Sequence, residues 1–302
     1  MNTFFSNIED LKKVVKINAS LPWESIEPYL EDAQTIYLEH YIGPEIIKKA
    51  SDSTYANLIP YICRALGPLT LMLATPELGI SIGDAGITVS NEQGKRSPAN
   101  EAKIAAAAES FKFRGFQALD RLLLHLQSNV TTYKEFEQSR YCKLIKNSLI
   151  KSAEMFQDVG LVNIEYSIIT FISLIPTAIS IQDKLPDLLG DTLTESLLTK
   201  AELTVKEKVL IDLIIKMIAN KTAELFTAAP PQTSSSTPYF TPSIRPIYND
   251  SGTTGNYFAA QAEYYQARIN KFMLENSAEL GLAVPEALNW NKPGNRIFAG
   301  LT

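Results

Sequence analysis

Hydrophobic positions recur at three- and four-residue steps along most of the chain, and this spacing predicts amphipathic helices. Between positions 23 and 41 the apolar stripe consists of Ile26, Leu30, Ala33, Tyr37 and Tyr41. Similar stripes predict six main helices, which run from Trp23 to Tyr41, Tyr55 to Leu73, Pro98 to Leu126, Leu174 to Leu189, Val205 to Phe226 and Tyr257 to Leu280. The pattern therefore predicts a mainly α fold.

Two stretches interrupt the helical period. Between positions 79 and 90, apolar residues alternate with small or polar ones, which is typical of a β-hairpin. The segment 228–247 is rich in Pro, Ser and Thr, and it predicts an extended arm. A strand needs a partner for its backbone N–H and C=O groups, so we expect both arms to contact another subunit or another protein. The candidate contact residues are Ile80, Ile82, Ile87 and Val89 in the hairpin and Tyr239, Phe240 and Ile244 in the arm.

The same order of features occurs twice, with a period near 150 residues. In each copy an apolar segment precedes a proline that we expect to open a helix, Pro28 and Pro176. That helix leads to a glycine, Gly43 or Gly190, and a second helix then ends at an Ala-Thr-Pro or Ala-Pro break. Self-similarity at so long a period indicates tandem domains and not a solenoid.

The domains are expected to span 1–145 and 146–282, as duplicated helical units with protruding β-hairpin or extended arms. Residues 283–302 would form an extended tail, in which Trp290 and Phe298 are candidate docking residues.

Composition narrows the possible functions. The 302 residues are 45% hydrophobic, so each half can bury a core, and the net charge of −5 argues against wrapping of nucleic acid. Cys63 and Cys142 lack the spacing of a metal site or a disulfide framework. We find no apolar run of the ~20 residues that span a bilayer and no signal peptide, so no membrane association is expected.

No strong catalytic motif is present. Gly79 to Gly83 imitates a nucleophile elbow, but no helix is predicted after it. Glu31 and Asp32 form a single acidic pair, which is more typical of a solvated helix face than of a metal site. His40 and His125 are the only histidines, too few for a histidine-rich metal site. We therefore expect no enzyme activity, no cofactor and no metal.

The chain resembles the head–tail connector (adaptor) proteins of tailed bacteriophages, above all those of Bacteroides-infecting crAss-like phages and prophages. The likeness covers most of the first half and is looser in the second. It is carried by the segments Ile26 to Ala33, Tyr41 to Gly43, Leu58 to Leu66, Asp84 to Ile87, Ala118 to Leu123, Phe171 to Pro176 and Leu188 to Gly190.

This resemblance implies a structural virion protein that assembles in the host cytoplasm into a closed ring, with twelve copies as the family's usual number. The ring would lie in the neck, between the portal protein and other neck or tail proteins. It would shape a channel through which genomic DNA passes without specific binding. The alternative is a helical enzyme or small-ligand-binding protein with a pocket between the two halves.

Overall fold

The computed structural model confirms a mainly helical protein across the residues that it describes. It describes residues 4–17, 21–50, 52–78, 80–83, 86–89, 101–228, 240, 242–247 and 254–282. The α-helices within these ranges are α1 Ile8–Lys12, α2 Glu27–Ala33, α3 His40–Ile42, α4 Pro44–Lys49, α5 Ile59–Ala74, α6 Glu101–Ser128, α7 Arg140–Lys146, α8 Ile168–Gln182, α9 Leu185–Leu189, α10 Asp191–Thr199, α11 Val205–Ala228 and α12 Thr254–Glu275.

The first half is built around α5, which packs against α2 and α6. The π-helical turn Gln34–Glu39 joins α2 to α3, so the predicted helix up to Tyr41 is continuous but not uniformly α. It ends where Gly43 takes φ +88° and ψ 147°, a conformation that side chains disfavour. The close approach of α5 and α6 depends on Gly115, because an added Cβ would lie 2.7 Å from the Leu69 side chain.

The second half is built around α11, which packs against α8 and α12. Gly190, with φ +81° and ψ 155°, ends α9 and precedes α10. The extent of α8 differs from the prediction. It begins at Ile168, where the Ser167 hydroxyl accepts a hydrogen bond from the N–H of Thr170, so Pro176 lies inside the helix instead of opening it. A turn at 183–184 then separates α8 from α9.

Two short antiparallel sheets lie in the described residues. Strands β1 Ile80–Gly83 and β2 Gly86–Val89 pair with each other, with Ile80 opposite Val89. Strands β3 Val162–Asn163 and β4 Arg245–Pro246 pair across more than 80 residues of chain, with Val162 opposite Pro246. The described strands of both arms therefore pair within their own chain, and contact of the arms with another subunit or protein stays a prediction.

An aromatic cluster crosses the predicted domain boundary near Lys146. The Tyr141 ring of α7 lies 6.1 Å from Phe136 and 6.5 Å from Phe171 of α8, between ring centroids. Phe156 lies 6.0 Å from Phe171 in the same way. All four side chains are buried, and they belong to a single contiguous core. The two halves thus share apolar packing where they meet.

One stretch, Ser53–Ala74, is long and apolar enough to cross a membrane by length and composition, which the sequence argument overlooked. Within it, 56% of the most apolar window is buried inside the protein. Its α-helical part is α5, whose Ile62, Leu66 and Leu69 side chains have no exposed surface. Core packing accounts for this apolar composition without a bilayer.

Candidate functional site

The predicted assembly contacts lie at different places, and some lie outside the described residues. Ile80, Ile82, Ile87 and Val89 are on the hairpin, of which only the backbone is described. Phe240 contacts the protein's own α6, with its ring centroid 5.2 Å from that of Phe116, and Ile244 is partly buried against the core. Tyr239, Trp290 and Phe298 lie outside the described residues.

The end of the arm lines a cleft on the surface of α6. This cleft has a volume of about 360 Å³, and Phe116, Ile164 and Phe240 form its apolar wall. At its rim the side chain of Phe113 is 64% exposed, which is unusual for so large an apolar group. The cleft can therefore take an apolar side chain from outside, and Phe113 can contact whatever covers it.

A smaller cleft of about 160 Å³ lies where the two halves meet. It is lined by His40, Arg140, Tyr141 and Ser173, among others, so both halves contribute. Burial, together with the positive charge of Arg140, lowers the pKa of His40. The hydroxyl of Tyr141 is buried and has no hydrogen-bond partner within the described residues. Ligand pockets usually enclose about 300–1,000 Å³, so this cleft is small for a substrate.

The described residues contain no group of three or more His, Cys, Asp or Glu side chains that could hold a metal ion. Burial raises the pKa of the Cys63 thiol to about 11, and burial also raises that of Cys142. Both thiols are therefore protonated at neutral pH, and a nucleophilic thiolate is disfavoured. His125 is held by packing, since its ring stacks on Tyr61 with the centroids 4.5 Å apart.

The acidic pair Glu31 and Asp32 lies on the exposed side of α2, with Glu24 and Glu27 nearby. None of these four carboxylates forms a salt bridge with another described residue. Glu27 and Glu31 lie four residues apart and share one side of α2, and Glu24 lies in the 3₁₀ turn Trp23–Ser25 just before that helix. We refer to these three residues as the acidic stripe.

Sequence reasoning missed a concave basic surface of about 310 Å³, which we call the basic groove. Four cationic side chains line it, Lys13, Arg64, Arg114 and Arg121. They come from the end of the α1 segment, from α5 and from α6, and therefore lie far apart in sequence. The one available signal was the seven-residue spacing of Arg114 and Arg121, which places both on the same face of a helix.

Comparison with family models gave one result. A model described as a family of unknown function (DUF6712) matches residues 17–144. The match covers less than half of the chain and lies within the first half. No curated protein and no solved structure matches the chain.

Proposed function

We propose that this chain is a structural protein of the virion of a tailed bacteriophage. In this proposal it forms a closed ring in the head–tail connector, between the portal and the tail, and the ring shapes the channel through which DNA leaves. The proposal begins from the resemblance to connector proteins, which lies mainly in the first half. The ring number of twelve rests on that resemblance alone.

The observation that carries the proposal is the repeated plan of the two halves. In each half a central helix packs between an earlier and a later helix, α5 between α2 and α6, and α11 between α8 and α12. In each half a glycine with nearly the same backbone angles separates two helices, and its N–H donates to the carbonyl four residues earlier. This correspondence supports tandem duplicated domains, which are more typical of assembly parts than of one catalytic centre.

The arms would serve this assembly as protruding elements at matching places, between α5 and α6 and between α11 and α12. The hairpin follows the end of α5, and the segment 229–253 follows the end of α11. The two strands of the hairpin pair with each other, and residues 245–246 pair with β3, so each strand is already paired along one edge. Contacts with other subunits would then use the side chains of the arms and the unpaired outer edges of these strands.

The alternative is a helical enzyme or ligand-binding protein with a pocket between the halves. The cleft that contains His40 and Arg140 is the feature that favours it, because the guanidinium group of Arg140 can bind an anion there. Its small volume weighs against a substrate of ordinary size. Turnover or saturable ligand binding that is lost in Arg140→Ala, with helix content retained, would favour this alternative.

Reconstitution with a portal ring tests the connector proposal. The purified protein should bind portal rings of the same phage and form a second ring on their axis, visible by cryo-electron microscopy of the complex. A portal from an unrelated phage is the control and should not recruit it. Failure to bind the cognate portal at micromolar concentrations, by folded protein, would contradict the proposal.

A further inference from the structure

The basic groove is unusual because three of its four cations form no salt bridge within the described residues, in a protein of net charge −5. Arg64, Arg114 and Arg121 are exposed, and none of them forms a salt bridge within the described part of the chain. Arg114 is positioned by its Nη2 group, which donates to the carbonyl of Val14 at 3.3 Å. Lys13 is partly neutralised, because its ammonium pairs with Asp10 at 2.8 Å.

Three guanidinium groups around one concavity suit carboxylates or phosphates, which they bind through paired N–H donors. Arg114 and Arg121 lie seven residues apart on α6, a rise of about 10 Å along the helix. The groove is therefore short. A duplex carries one charge per ~1.7 Å of its axis, so the groove would cover only a small part of a DNA backbone.

The chain itself supplies a complementary surface, the acidic stripe of Glu24, Glu27 and Glu31. Glu27 and Glu31 are four residues apart on α2, a rise of about 6 Å, so both can enter a groove of that length. The stripe and three of the four groove cations belong to the region 17–144. The two surfaces share no residue. Contact between unlike surfaces of two copies is heterologous, and it generates rings or filaments.

We propose that the basic groove of one copy binds the acidic stripe of the next copy, and that this contact joins neighbouring subunits. The inference rests on the proposed function, since it supplies the subunit contact of the ring. Its occupant is a second copy of this chain. Charge pairs at such a contact set the register of neighbouring subunits and disfavour wrong pairings.

Charge reversal on each surface tests the contact. One variant combines Arg64→Glu with Arg121→Glu and leaves Arg114, which contacts Val14, in place. The other combines Glu27→Lys with Glu31→Lys. Each variant alone brings like charges together, and we expect its self-association to need at least about tenfold higher protein concentration than the wild type. The measurement is sedimentation velocity at low salt, where charge screening is weak.

A mixture of the two variants provides the decisive measurement. In a mixture, each reversed surface meets an opposite charge on the other variant, so assembly should return with the two chains alternating. Only even-numbered rings can close in this way. Lys184→Glu with Lys208→Glu is the matched control for the arginine variant, because it lowers the net charge by the same amount at exposed lysines of the second half. That control should assemble like the wild type.

The outcomes of these experiments test the proposed subunit contact and the proposed ring independently. If the groove variant is folded by circular dichroism and assembles like the wild type, the contact is wrong while the ring proposal stands. If the wild type remains monomeric at low salt and also with cognate portal rings, both are wrong. If the wild type binds duplex DNA and the groove variant does not, the groove binds DNA phosphates and the proposal is overturned.

Discussion

The carboxylate of Asp120 on α6 accepts a hydrogen bond from the backbone N–H of Ile169 in the first turn of α8, with an N···O distance of 2.9 Å. The first N–H groups of a helix have no partner within that helix, so Asp120 satisfies one of them from the other half of the molecule. Burial raises the pKa of this carboxyl above its ordinary value. The bond therefore joins the two halves through a partly buried carboxyl group whose ionised form is disfavoured by its surroundings.

Replacement of Asp120 should distinguish its hydrogen bond from its charge. Asp120→Ala leaves the N–H of Ile169 without its partner and should lower the free energy of unfolding by about 1–3 kcal/mol. Asp120→Asn keeps an acceptor oxygen and should cost less than about 1 kcal/mol. Urea unfolding at pH 7 measures both. An equal loss of unfolding free energy in the two variants would show that the hydrogen bond to Ile169 does not account for the stabilising effect of Asp120.

The raised pKa of Asp120 also predicts the direction of a pH effect. The folded state keeps this proton at pH values where the unfolded chain has released it, so this group's contribution to stability falls as the pH rises from below 3.8 through the folded pKa. Asp120→Asn lacks this contribution. The stability difference, variant minus wild type, should therefore increase with pH across this window, and a constant difference would contradict the account.

Gly43 and Gly190, which each separate two helices, should be equally sensitive to substitution. Gly43 and Gly190 both have positive φ with ψ near 150°, a region that is almost restricted to glycine. No neighbouring atom lies closer than 4.0 Å to a Cβ built at either position, so the cost is one of backbone conformation. Gly43→Ala and Gly190→Ala should each lower the free energy of unfolding by about 1–3 kcal/mol.

Thr192→Ala is the control for the glycine substitutions, because Thr192 is exposed and lies in the helix that follows Gly190. It should change stability by less than about 0.5 kcal/mol. Thermal or urea unfolding of all three variants checks the prediction. A large loss at one glycine and none at the other would remove an argument for the equivalence of the two halves.

Glu135 should contribute to stability at neutral pH and lose that contribution in acid. Its hydrogen bonds with Lys49 and then with Tyr55 lower its pKa to about 2. A carboxyl whose folded pKa is lowered stabilises the protein above its unfolded pKa of 4.5, and this contribution disappears as the pH falls towards about 2. Because the pair is partly exposed, Glu135→Gln should cost only about 1 kcal/mol at pH 7.

The Glu135→Gln variant should also show a shallower loss of stability in acid than the wild type. Its control is Glu45→Gln, which removes an exposed carboxylate that pairs with Lys48 within one helix. That change should cost less than about 0.5 kcal/mol. Unfolding midpoints measured across the acid range would refute the assignment if Glu135→Gln followed the wild-type pH profile.

Gly160 should tolerate a methyl group less well than Gly115. A Cβ at Gly160 would collide with the backbone carbonyl oxygen of Phe156 and would lie 2.6 Å from the Cβ of Ala219. At Gly115 the nearest atoms are Cγ and Cδ2 of the Leu69 side chain, at 2.7 Å, and a side chain can shift more easily than a backbone carbonyl. Gly160→Ala should therefore lower the free energy of unfolding by about 1–3 kcal/mol. Gly115→Ala should cost less, because alanine favours the helix by up to about 1 kcal/mol.

The helices were predictable because their apolar periods reflect the same core that buries them. The predicted breaks at Ala74 and Ala229 agree with the ends of α5 and α11, and both glycines lie where helices end. The start of α8 was misplaced because Pro176 was taken as a helix opener. A proline in a well-packed helix is tolerated when tertiary contacts outweigh the lost hydrogen bond.

Contacts between distant residues were not predictable from local patterns. The pairing of β3 with β4 involves two residues on each strand, too few to produce an alternating pattern. The basic groove depends on Arg64 of α5 lying beside Arg121 of α6, which follows from helix packing and not from spacing. The sequence predicted a solvated helix face at Glu31 and Asp32, but it did not point to Glu24 and Glu27 or to the basic groove as a complementary surface.

The central claim is that this chain forms a closed ring on the axis between portal and tail. Cryo-electron microscopy of intact virions tests it most directly, by locating the chain and counting its copies. The account predicts one ring of this chain directly on that axis, with twelve copies and with the groove of each copy against α2 of its neighbour. Density for the chain elsewhere in the virion, or its absence from purified particles, would contradict the account.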